Sequence, residues 1–251
     1  MAGRCVIILD VTELSFAYPD GTQGLKQVSF HLKPGERAAL IGANGAGKTT
    51  LLLTLVGLLN GQGEITVDGL PLNETNLPQI RQRMGVVFQN PDDQLFLPTV
   101  YQNVAFGLEN MGLSGAEVRE KADKTLERLD ISYLRDRQAQ RLSGGEKRMA
   151  ALATVLAMEP GILLLDEPTA FLDPKARRRL IQVMDTLNQT MLVATHDLTF
   201  ALETCQRSLV LTDGAVFADG LSRELLFDEA LMEAGGVEAI RAYGKRRGAL
   251  S

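Results

Sequence analysis

The stretch IGANGAGKTTLLLTLVG, residues 41–57, places four glycines and the pair Lys48–Thr49 inside an otherwise apolar run. It contains the pattern G-x-x-x-x-G-K-[ST] from Gly42 to Thr49. The surrounding sequence predicts a buried strand, RAALIGA, before the glycines and a helix after them, which is the context that this pattern requires. A strand, a glycine loop and a helix in this order begin a parallel α/β unit, so the predicted fold class is α/β.

The glycine loop is suited to hold the phosphates of a nucleotide. Glycines allow successive backbone N–H groups to turn towards an anion, and the helix N-terminus adds its dipole. Lys48 would reach the β- and γ-phosphates, and Thr49 would offer its hydroxyl to Mg²⁺. A merely flexible turn accounts less well for the full pattern in this context. The candidate residues for binding ATP here are Asn44, Gly45, Ala46, Gly47, Lys48, Thr49 and Thr50.

Polar side chains follow the ends of three further predicted strands. Asp166 and Glu167 end the run ILLLDE, His196 follows MLVAT, and Gln89 follows MGVVF. Because ligands bind at the carboxyl ends of parallel strands, we expect these side chains to meet at the glycine loop. Asp166 can then hold Mg²⁺, and Glu167 can polarise an attacking water. His196 can contact the γ-phosphate and Gln89 can reach metal or water, although each has a simpler structural interpretation when taken alone.

The segment RLSGGEKRMAALATVLAMEP, residues 141–160, predicts a second helix N-terminus that is suited to an anion. Ser143 is the expected N-cap, and Gly144 and Gly145 open the helix. An ordinary N-cap is the simpler interpretation of this segment alone. With a complete phosphate loop elsewhere in the chain, a site shared between two copies accounts better for both features. We therefore expect a symmetric, head-to-tail dimer.

Composition restricts the class of protein. The 251 residues carry a formal net charge of −5, which argues against a general nucleic-acid binder, because such proteins need a basic surface. Cys5 and Cys205 are far apart without CxxC spacing, so no disulfide framework or zinc site is expected and a reducing cytoplasm fits. The longest apolar runs are far shorter than the ~20 residues of a membrane span, and the N-terminus does not resemble a signal peptide.

The whole chain, residues 1–251, is predicted to form one interleaved domain. The runs CVIILDV, LSFAY, LKQVSFHL and GEITVDG predict antiparallel strands. Residues 47–59 predict a helix, and an all-helical insertion is expected at about 90–158, with a Ser114–Glu117 capping box. The α/β pattern then resumes with a helix from Pro174, capped by Asp173, and a strand pair around an Asp-Gly turn. Short helices are expected at about 221–251, ending in RAYGKRRG.

The ordered set of motifs resembles the ATPase subunit of an ABC transporter along nearly the whole chain. GANGAGKTT resembles the Walker A motif, ILLLDE the Walker B motif with its catalytic glutamate at Glu167, and LSGGE the ABC signature. Gln89 matches the Q-loop, His196 the switch histidine, and AFLD at 170–173 the D-loop. Tyr18 matches the aromatic position whose ring stacks on adenine. The resemblance implies ATP and Mg²⁺ as ligands. It also implies a RecA-like P-loop NTPase core with an antiparallel β subdomain and an all-helical signature subdomain.

Two longer segments are similar to the energy-coupling-factor group, especially its cobalt- and nickel-importer ATPases. They are VVFQNPDDQLFLPTVYQNVAFG and SGGEKRMAALATVLAMEPGILLLDEPTAFLDP. This similarity implies a pair of ATPase subunits on the cytoplasmic face of the cell membrane, held by a transmembrane coupling subunit that docks near Gln89–Phe96. It also implies a separate membrane subunit that binds the metal ion or vitamin. No nucleic-acid partner is expected, because of the net charge. A homodimer is favoured because this chain has the motifs of both half-sites, and a heterodimer with a related ATPase stays open.

Two positions depart from the family pattern. The signature ends in Glu146 where glutamine is commoner, which the first turn of a helix tolerates. Phe171 occupies a D-loop position where a small residue is usual, so packing across the dimer is expected to differ. Neither departure removes a group needed for hydrolysis.

Three hypotheses about function therefore stand. The leading one is an ATP-hydrolysing subunit of an importer. A soluble ABC ATPase acting on ribosomes or DNA is an alternative that only the basic end GKRR favours. A binding module that is gated by ATP but barely hydrolyses it is the third, and the intact Glu167 and His196 argue against it.

Overall fold

Two sheets carry the fold in the computed structural model, which describes residues 7–240. Cys5 and the basic end GKRR lie outside the described residues. The described strands are β1 Leu9–Ala17, β2 Gln23–Leu32, β3 Arg37–Ile41, β4 Gln62–Val67, β5 Leu70–Pro71, β6 Met84–Val87, β7 Ile162–Asp166, β8 Thr190–Thr195, β9 Arg207–Thr212 and β10 Ala215–Leu221. The antiparallel sheet has the order β2-β1-β4-β5, and the larger sheet has the order β10-β9-β3-β8-β7-β6. The predicted combination of an α/β core and an antiparallel β sheet is confirmed.

The larger sheet is parallel except at one edge. Strands β6, β7, β8, β3 and β9 pair in parallel, and β10 pairs antiparallel with β9 through the predicted Asp213-Gly214 turn. Every residue of β7 and of β8 is buried. Such continuous burial is typical of parallel strands that are covered on both faces.

Helices surround this sheet and connect its strands. They are α1 Lys48–Leu55, α2 Leu77–Arg83, α3 Val100–Asn110, α4 Gly115–Arg128, α5 Gly144–Leu156, α6 Pro174–Asp185, α7 Leu198–Thr204, α8 Ser222–Leu225 and α9 Glu229–Ala234. The predicted Ser114–Glu117 capping box opens α4, and the side chain of Asp173 accepts backbone hydrogen bonds at the start of α6, as predicted. Helices α3, α4 and α5 follow one another along the chain and pack together.

The alternation of side chains along the parallel strands divides the core into two layers. In β3, Ala38 and Leu40 face the layer that contains α1 and the antiparallel sheet, whereas Ala39 and Ile41 face the layer that contains α3 to α7. The strand β7 alternates in the same way. Because neighbouring residues of a strand point to opposite faces, an entirely apolar strand can serve both layers. The carboxyl ends of these buried strands are thereby fixed in position.

Three local predictions differ from the structure. The helix predicted over residues 47–59 ends at Leu55, because Gly57 adopts a φ of 64° just beyond it, a common way for a helix to end. CVIILDV and LSFAY are predicted as separate strands, but β1 runs through both from Leu9 to Ala17. Glu13, with a φ of 50°, shifts the pairing register within β1, so that the strand continues through a bulge. The helix α2 is absent from the prediction.

Two further features concern the membrane and the thiols. Within residues 7–240, no helix combines the length and the apolar character needed to cross a bilayer. Cys205 is buried and unbonded to another cysteine, and its burial raises the pKa of the thiol to about 11.

Candidate active site

The glycine loop between β3 and α1 has a backbone that other residues could not easily adopt. Gly45 and Gly47 have φ values of 84° and 104°, which lie in the region that glycine enters without steric cost. A Cβ atom at Gly47 would lie 2.5 Å from the carbonyl oxygen of Gly24. Gly47 is also the N-cap of α1 and provides no capping side chain. The N–H groups of the first turn of α1 are therefore available to an anion.

Lys48 is buried beneath this loop and is held by the loop itself. Its Nζ donates hydrogen bonds to the carbonyl oxygens of Gly42 at 2.8 Å and Ala43 at 3.2 Å. The same atom lies 3.8 Å from Oε1 of Glu167. The ammonium group thus lies between the loop and a buried carboxylate, where it can neutralise the charge of a phosphate.

Asp166 and Thr49 form a pair that fits a magnesium ion. Thr49 Oγ1 donates a 2.8 Å hydrogen bond to Oδ2 of Asp166. The other carboxylate oxygen, Oδ1, is buried and has no hydrogen-bond partner among the described residues. Burial raises the pKa of Asp166, and the hydrogen bond from Thr49 opposes that shift. A buried carboxylate oxygen without a partner beside a hydroxyl is a suitable start for an Mg²⁺ site, since Mg²⁺ takes one or two protein oxygens and completes its shell with water and phosphate.

Glu167 stands at the end of β7 in a constrained backbone conformation. Its φ is 43°, and its side chain is buried. Oε2 accepts hydrogen bonds from the hydroxyl of Thr195 at 3.2 Å and from the backbone N–H of His196 at 3.3 Å. The Nδ1 atom of His196 lies 2.9 Å from the same oxygen. Since several donors hold Oε2, Oε1 is the oxygen that remains to act on a water molecule.

Tyr18 lies at the outer rim of the loop. Its hydroxyl and that of Thr50 share a 2.6 Å hydrogen bond, and the ring of Phe16 meets its ring edge-on at 4.9 Å between centroids. A Cβ at Gly24 would lie 3.0 Å from a carbon of the Tyr18 ring. The ring is therefore oriented by three neighbours while 38% of the residue stays exposed.

The structure brings most of the predicted site residues together. One cavity of about 460 Å³, called here the loop cavity, is bordered by the glycine loop and by the ends of several strands. Its lining includes Tyr18, Asn44, Gly45, Gly47, Lys48, Thr49, Thr50, Gln89, Asp166, Glu167 and His196. Ala46 is buried within the loop instead of lining the cavity. The glycine loop and the residues after β6, β7 and β8 thus meet at one place.

Ser143, Gly144 and Gly145 lie elsewhere in the same chain. They line a second cavity of about 690 Å³, called here the signature cavity, between α5 and α6. Phe171 lines it as well, with 89% of its surface exposed and a φ of 62°. The residues that line the signature cavity include none that line the loop cavity. Within one copy, the two predicted phosphate-binding features therefore do not form a single site.

Glu146 has a role at the start of α5 that the sequence analysis did not include. Ser143 is the N-cap, as predicted, and Glu146 completes a capping box with it. The hydroxyl of Ser143 donates to Oε2 of Glu146 at 2.8 Å, and the backbone N–H of Ser143 does so at 2.9 Å. These bonds lower the pKa of Glu146, the backbone bond contributing most. The spacing S-x-x-E is itself a signal for this motif and could have revealed it.

Arg148 is the second residue that the sequence analysis missed. It lies on α5, is 2% exposed, and donates to the carbonyl oxygens of Phe88 at 2.7 Å and Gln89 at 2.6 Å. Burial lowers the pKa of Arg148 to about 10, so the guanidinium stays charged at neutral pH. A signal did exist, because Arg148 shares a helix face with the apolar residues Ala151, Leu152 and Val155.

Comparison with known proteins agrees with this geometry. Residues 25–170 match a family model described as ABC transporter. A Streptomyces avermitilis protein that bears the name of an ABC transporter ATP-binding protein is 52% identical over 231 residues, or 92% of this chain and 88% of the relative. The energy-coupling factor transporter ATP-binding protein EcfA of Carboxydothermus hydrogenoformans is 41% identical over 237 residues, or 93% of this chain and 87% of the relative.

Solved structures extend the similarity to three dimensions. CbiO1 of Clostridium perfringens, described as part of the ABC transporter complex CbiONQ, matches with a TM-score of 0.81 and 37% identity, covering 91% of this chain and 94% of that one. The ATP-binding cassette MJ0796, a dimer in a post-hydrolysis state with bound ADP and Pi, matches with a TM-score of 0.78 and 29% identity, covering 86% of this chain and 99% of that one. The glycine loop, the acids Asp166 and Glu167 at the end of β7 and these similarities all indicate one family: the chain belongs to the ABC transporter family as an ATP-binding subunit, and it is an ATPase.

Proposed function

We propose that two copies of this chain hold two ATP molecules between them and hydrolyse them to power an importer of the energy-coupling-factor type. The observation that carries the proposal is the separation of the loop cavity from the signature cavity. An ATP molecule in the loop cavity of one copy would be covered by Ser143 to Gly145 of the other. The relative MJ0796 is a dimer, which supports this arrangement. A homodimer is the simplest form, since one chain has both half-sites.

Each residue of the loop cavity would have its own role in ATP hydrolysis. Lys48 and the N–H groups at the start of α1 bind the β- and γ-phosphates, and the Tyr18 ring stacks on adenine. Water attacks the γ-phosphorus, the bond to the bridging oxygen breaks, and Oε1 of Glu167 accepts the proton of the water. His196 holds Glu167 through Nδ1, and its other ring nitrogen, when protonated, donates to the γ-phosphate.

Thr49, Asp166 and Gln89 would hold Mg²⁺. When bound, the ion draws negative charge from the phosphate oxygens. Thr49 already contacts Asp166, and Gln89 lines the same cavity. No group of three or more His, Cys, Asp or Glu side chains with metal-binding geometry occurs in residues 7–240. This accords with a magnesium site that is completed by substrate oxygens and water instead of by more protein ligands.

The residues Gln89 to Phe96 would dock a transmembrane coupling subunit. Phe96 is 58% exposed, and its ring packs edge-on against that of Phe106 on α3 at 5.1 Å between centroids. Such a pair of exposed aromatic rings is a suitable contact for an apolar partner surface. The ATPase would then lie on the cytoplasmic face of the membrane, and a separate membrane subunit would bind the metal ion or vitamin. Helices α3 to α5 would form the signature subdomain, at about residues 90–158, and α8 and α9 would begin a C-terminal extension, at about 221–251.

Similarity to EcfA and CbiO1 supports the energy-coupling-factor type. Cobalt and nickel ions, or a vitamin, are the proposed cargo classes of the membrane subunit. Purification from native membranes, followed by identification of the partner subunits, tests this assignment. Recovery of the chain on ribosomes or DNA, without integral membrane subunits, would contradict it.

The variant Glu167→Gln tests the catalytic part of the proposal. It retains the size and the hydrogen-bond acceptor of Glu167 but cannot take a proton from water. We expect phosphate release to fall by about 10² to 10⁴-fold, the usual contribution of a general base, while ATP binding persists and ATP-dependent dimers accumulate. The matched control is Glu203→Gln, which removes an exposed carboxylate that pairs with Arg177. Turnover at the wild-type rate in Glu167→Gln would exclude Glu167 as the base.

A further inference from the structure

Arg148 is a buried cation on α5 that binds the first part of the loop after β6. We propose that Arg148 is a positioning residue: it holds Gln89 in the loop cavity by fixing the backbone of Phe88 and Gln89. The proposal rests on the proposed role of Gln89 in the active site. It adds a residue that touches neither nucleotide nor metal and acts through the backbone of its neighbour.

The geometry of the guanidinium fits this role. Its two terminal nitrogens donate to the carbonyl oxygens of consecutive residues, Phe88 at 2.7 Å and Gln89 at 2.6 Å. A planar guanidinium can reach two such acceptors at once, whereas a lysine ammonium acts as a single point charge. Two hydrogen bonds to successive carbonyls fix the direction in which the backbone leaves β6. They thereby set where the Gln89 side chain begins.

The far end of the same loop is also bound to α5. Gln94 donates from Nε2 to the carbonyl oxygen of Ala151 at 3.0 Å and to the hydroxyl of Thr154 at 2.7 Å. Its Oε1 accepts from the backbone N–H of Phe88 at 3.4 Å. The loop is thus tied to α5 at both ends.

Arg148 is also attracted to the carboxylate of Asp166. Both Nε of Arg148 and Oδ1 of Asp166 are buried without a hydrogen-bond partner in residues 7–240. Burying a guanidinium with an unpartnered nitrogen is costly, and an apolar side chain of similar length would fill the space at lower cost. A cation at this place is therefore better explained by the position of Gln89 than by the stability of the fold.

The test compares Arg148→Lys and Arg148→Met with the wild type. For each full-length protein, kcat and KM for Mg·ATP are measured from phosphate release, and the melting temperature is recorded. A displacement of about 1 Å can cost about a hundredfold in rate, so we expect kcat to fall at least tenfold with KM changed less than about threefold. The matched control is Lys124→Gln, which removes an exposed cation on α4 and its bond to Glu120, and its kcat is expected to stay at the wild-type value because exposed ion pairs contribute little.

A double-mutant cycle with Gln89→Ala distinguishes positioning from a general loss of structure. If Arg148 acts through Gln89, then Arg148→Met lowers kcat by less than about twofold further in the Gln89→Ala background. Equal factors in both backgrounds, or a wild-type kcat in both Arg148 variants, would overturn the proposal. Arg148→Lys retains the charge, so it keeps the test valid if Arg148→Met does not fold. A wild-type kcat in Gln89→Ala would instead overturn the role of Gln89 and the proposal with it. Loss of activity in Gln89→Ala but not in the Arg148 variants would overturn the positioning role alone.

Discussion

Replacing Asp166 with asparagine should stabilise the protein in the absence of nucleotide while weakening the stabilisation that Mg·ATP provides. The carboxylate is buried, and its Oδ1 has no hydrogen-bond partner among the described residues. Burial raises its pKa, so the folded chain disfavours the charged form. Asparagine removes the charge and can still accept the hydrogen bond from Thr49. The same change removes the carboxylate that we propose to hold Mg²⁺.

The size of the effect follows from the unpartnered oxygen. Leaving a buried polar group without a partner costs about 1–3 kcal/mol, and more when the group is charged. The asparagine NH2 at this place also has no partner but is neutral, so we expect a gain of about 1 kcal/mol. In a chain of this length the melting temperature shifts by about 2–4 °C per kcal/mol. A ligand at about 100 times its Kd stabilises the native state by about 2.7 kcal/mol. The wild type should therefore become the more stable protein once Mg·ATP is added.

The difference without nucleotide should depend on pH. The folded-state pKa of Asp166 lies above its ordinary value of 3.8, so both the folded and the unfolded chain are protonated below that value and the burial of charge costs nothing there. As the pH rises through the folded-state pKa, the folded wild type must carry the charge and loses stability relative to the variant. The advantage of Asp166→Asn should thus be largest at neutral pH and should shrink towards pH 3.8.

Melting curves test this prediction directly. They are recorded for the wild type and Asp166→Asn at several pH values, once with EDTA and without nucleotide, and once with excess Mg·ATP. Asp173→Asn is the matched control, since Asp173 lies near the surface and caps α6. If Asp166→Asn is less stable than the wild type in EDTA at neutral pH, the argument from the unpartnered oxygen is wrong.

Three further predictions concern the loop cavity and the signature cavity. Gly47→Ala places a residue with a Cβ atom at a left-handed φ of 104°. Its free energy of unfolding, measured by urea denaturation, should fall by at least about 1–2 kcal/mol, the approximate cost of that conformation. Tyr18→Phe retains the ring but loses the hydrogen bond between the hydroxyls of Tyr18 and Thr50, which is worth about 0.5–1.5 kcal/mol. Calorimetry should therefore show an ATP Kd raised by less than about tenfold. Glu146→Gln removes a negative charge bound to Ser143, and in a Glu167→Gln background it should strengthen ATP-dependent dimerisation in size-exclusion chromatography.

A specific result would contradict each of these three predictions. Wild-type stability of Gly47→Ala would mean that the loop relaxes freely around a side chain. An ATP Kd that rises as much in Tyr18→Phe as in Tyr18→Ala would show that the hydroxyl, and not the ring, carries the contribution. Weaker dimerisation of Glu146→Gln would show that the capping box at Ser143 matters more than the charge beside the phosphate.

The sequence predicted the parts of the site that depend on backbone pattern. The glycine loop from Gly42 to Thr49 and the acids Asp166 and Glu167 after ILLL follow from a strand, a turn and a helix in fixed order. Parallel strands bring their carboxyl ends to one edge, so the meeting of Lys48 with Asp166 also follows from topology. These residues could be predicted without any knowledge of side-chain contacts.

The remaining features depend on contacts between distant side chains. The bond from Arg148 to Phe88 joins residues 60 positions apart, and no local pattern specifies it. The hydrogen bond between Tyr18 and Thr50 spans 32 positions. The bulge at Glu13 depends on the pairing of β1 with two neighbours, whereas strand periodicity describes one segment alone. Long-range packing therefore decides what the local pattern leaves open.

The hydrogen bonds from Lys48 to the carbonyls of Gly42 and Ala43 have a consequence for the energetics of nucleotide binding. A loop whose shape is set by hydrogen bonds within the protein is preorganised, and little chain entropy needs to be lost when phosphate enters it. In the proposed pair of subunits, the binding free energy that is not consumed in ordering the loop remains to draw the second copy onto the nucleotide.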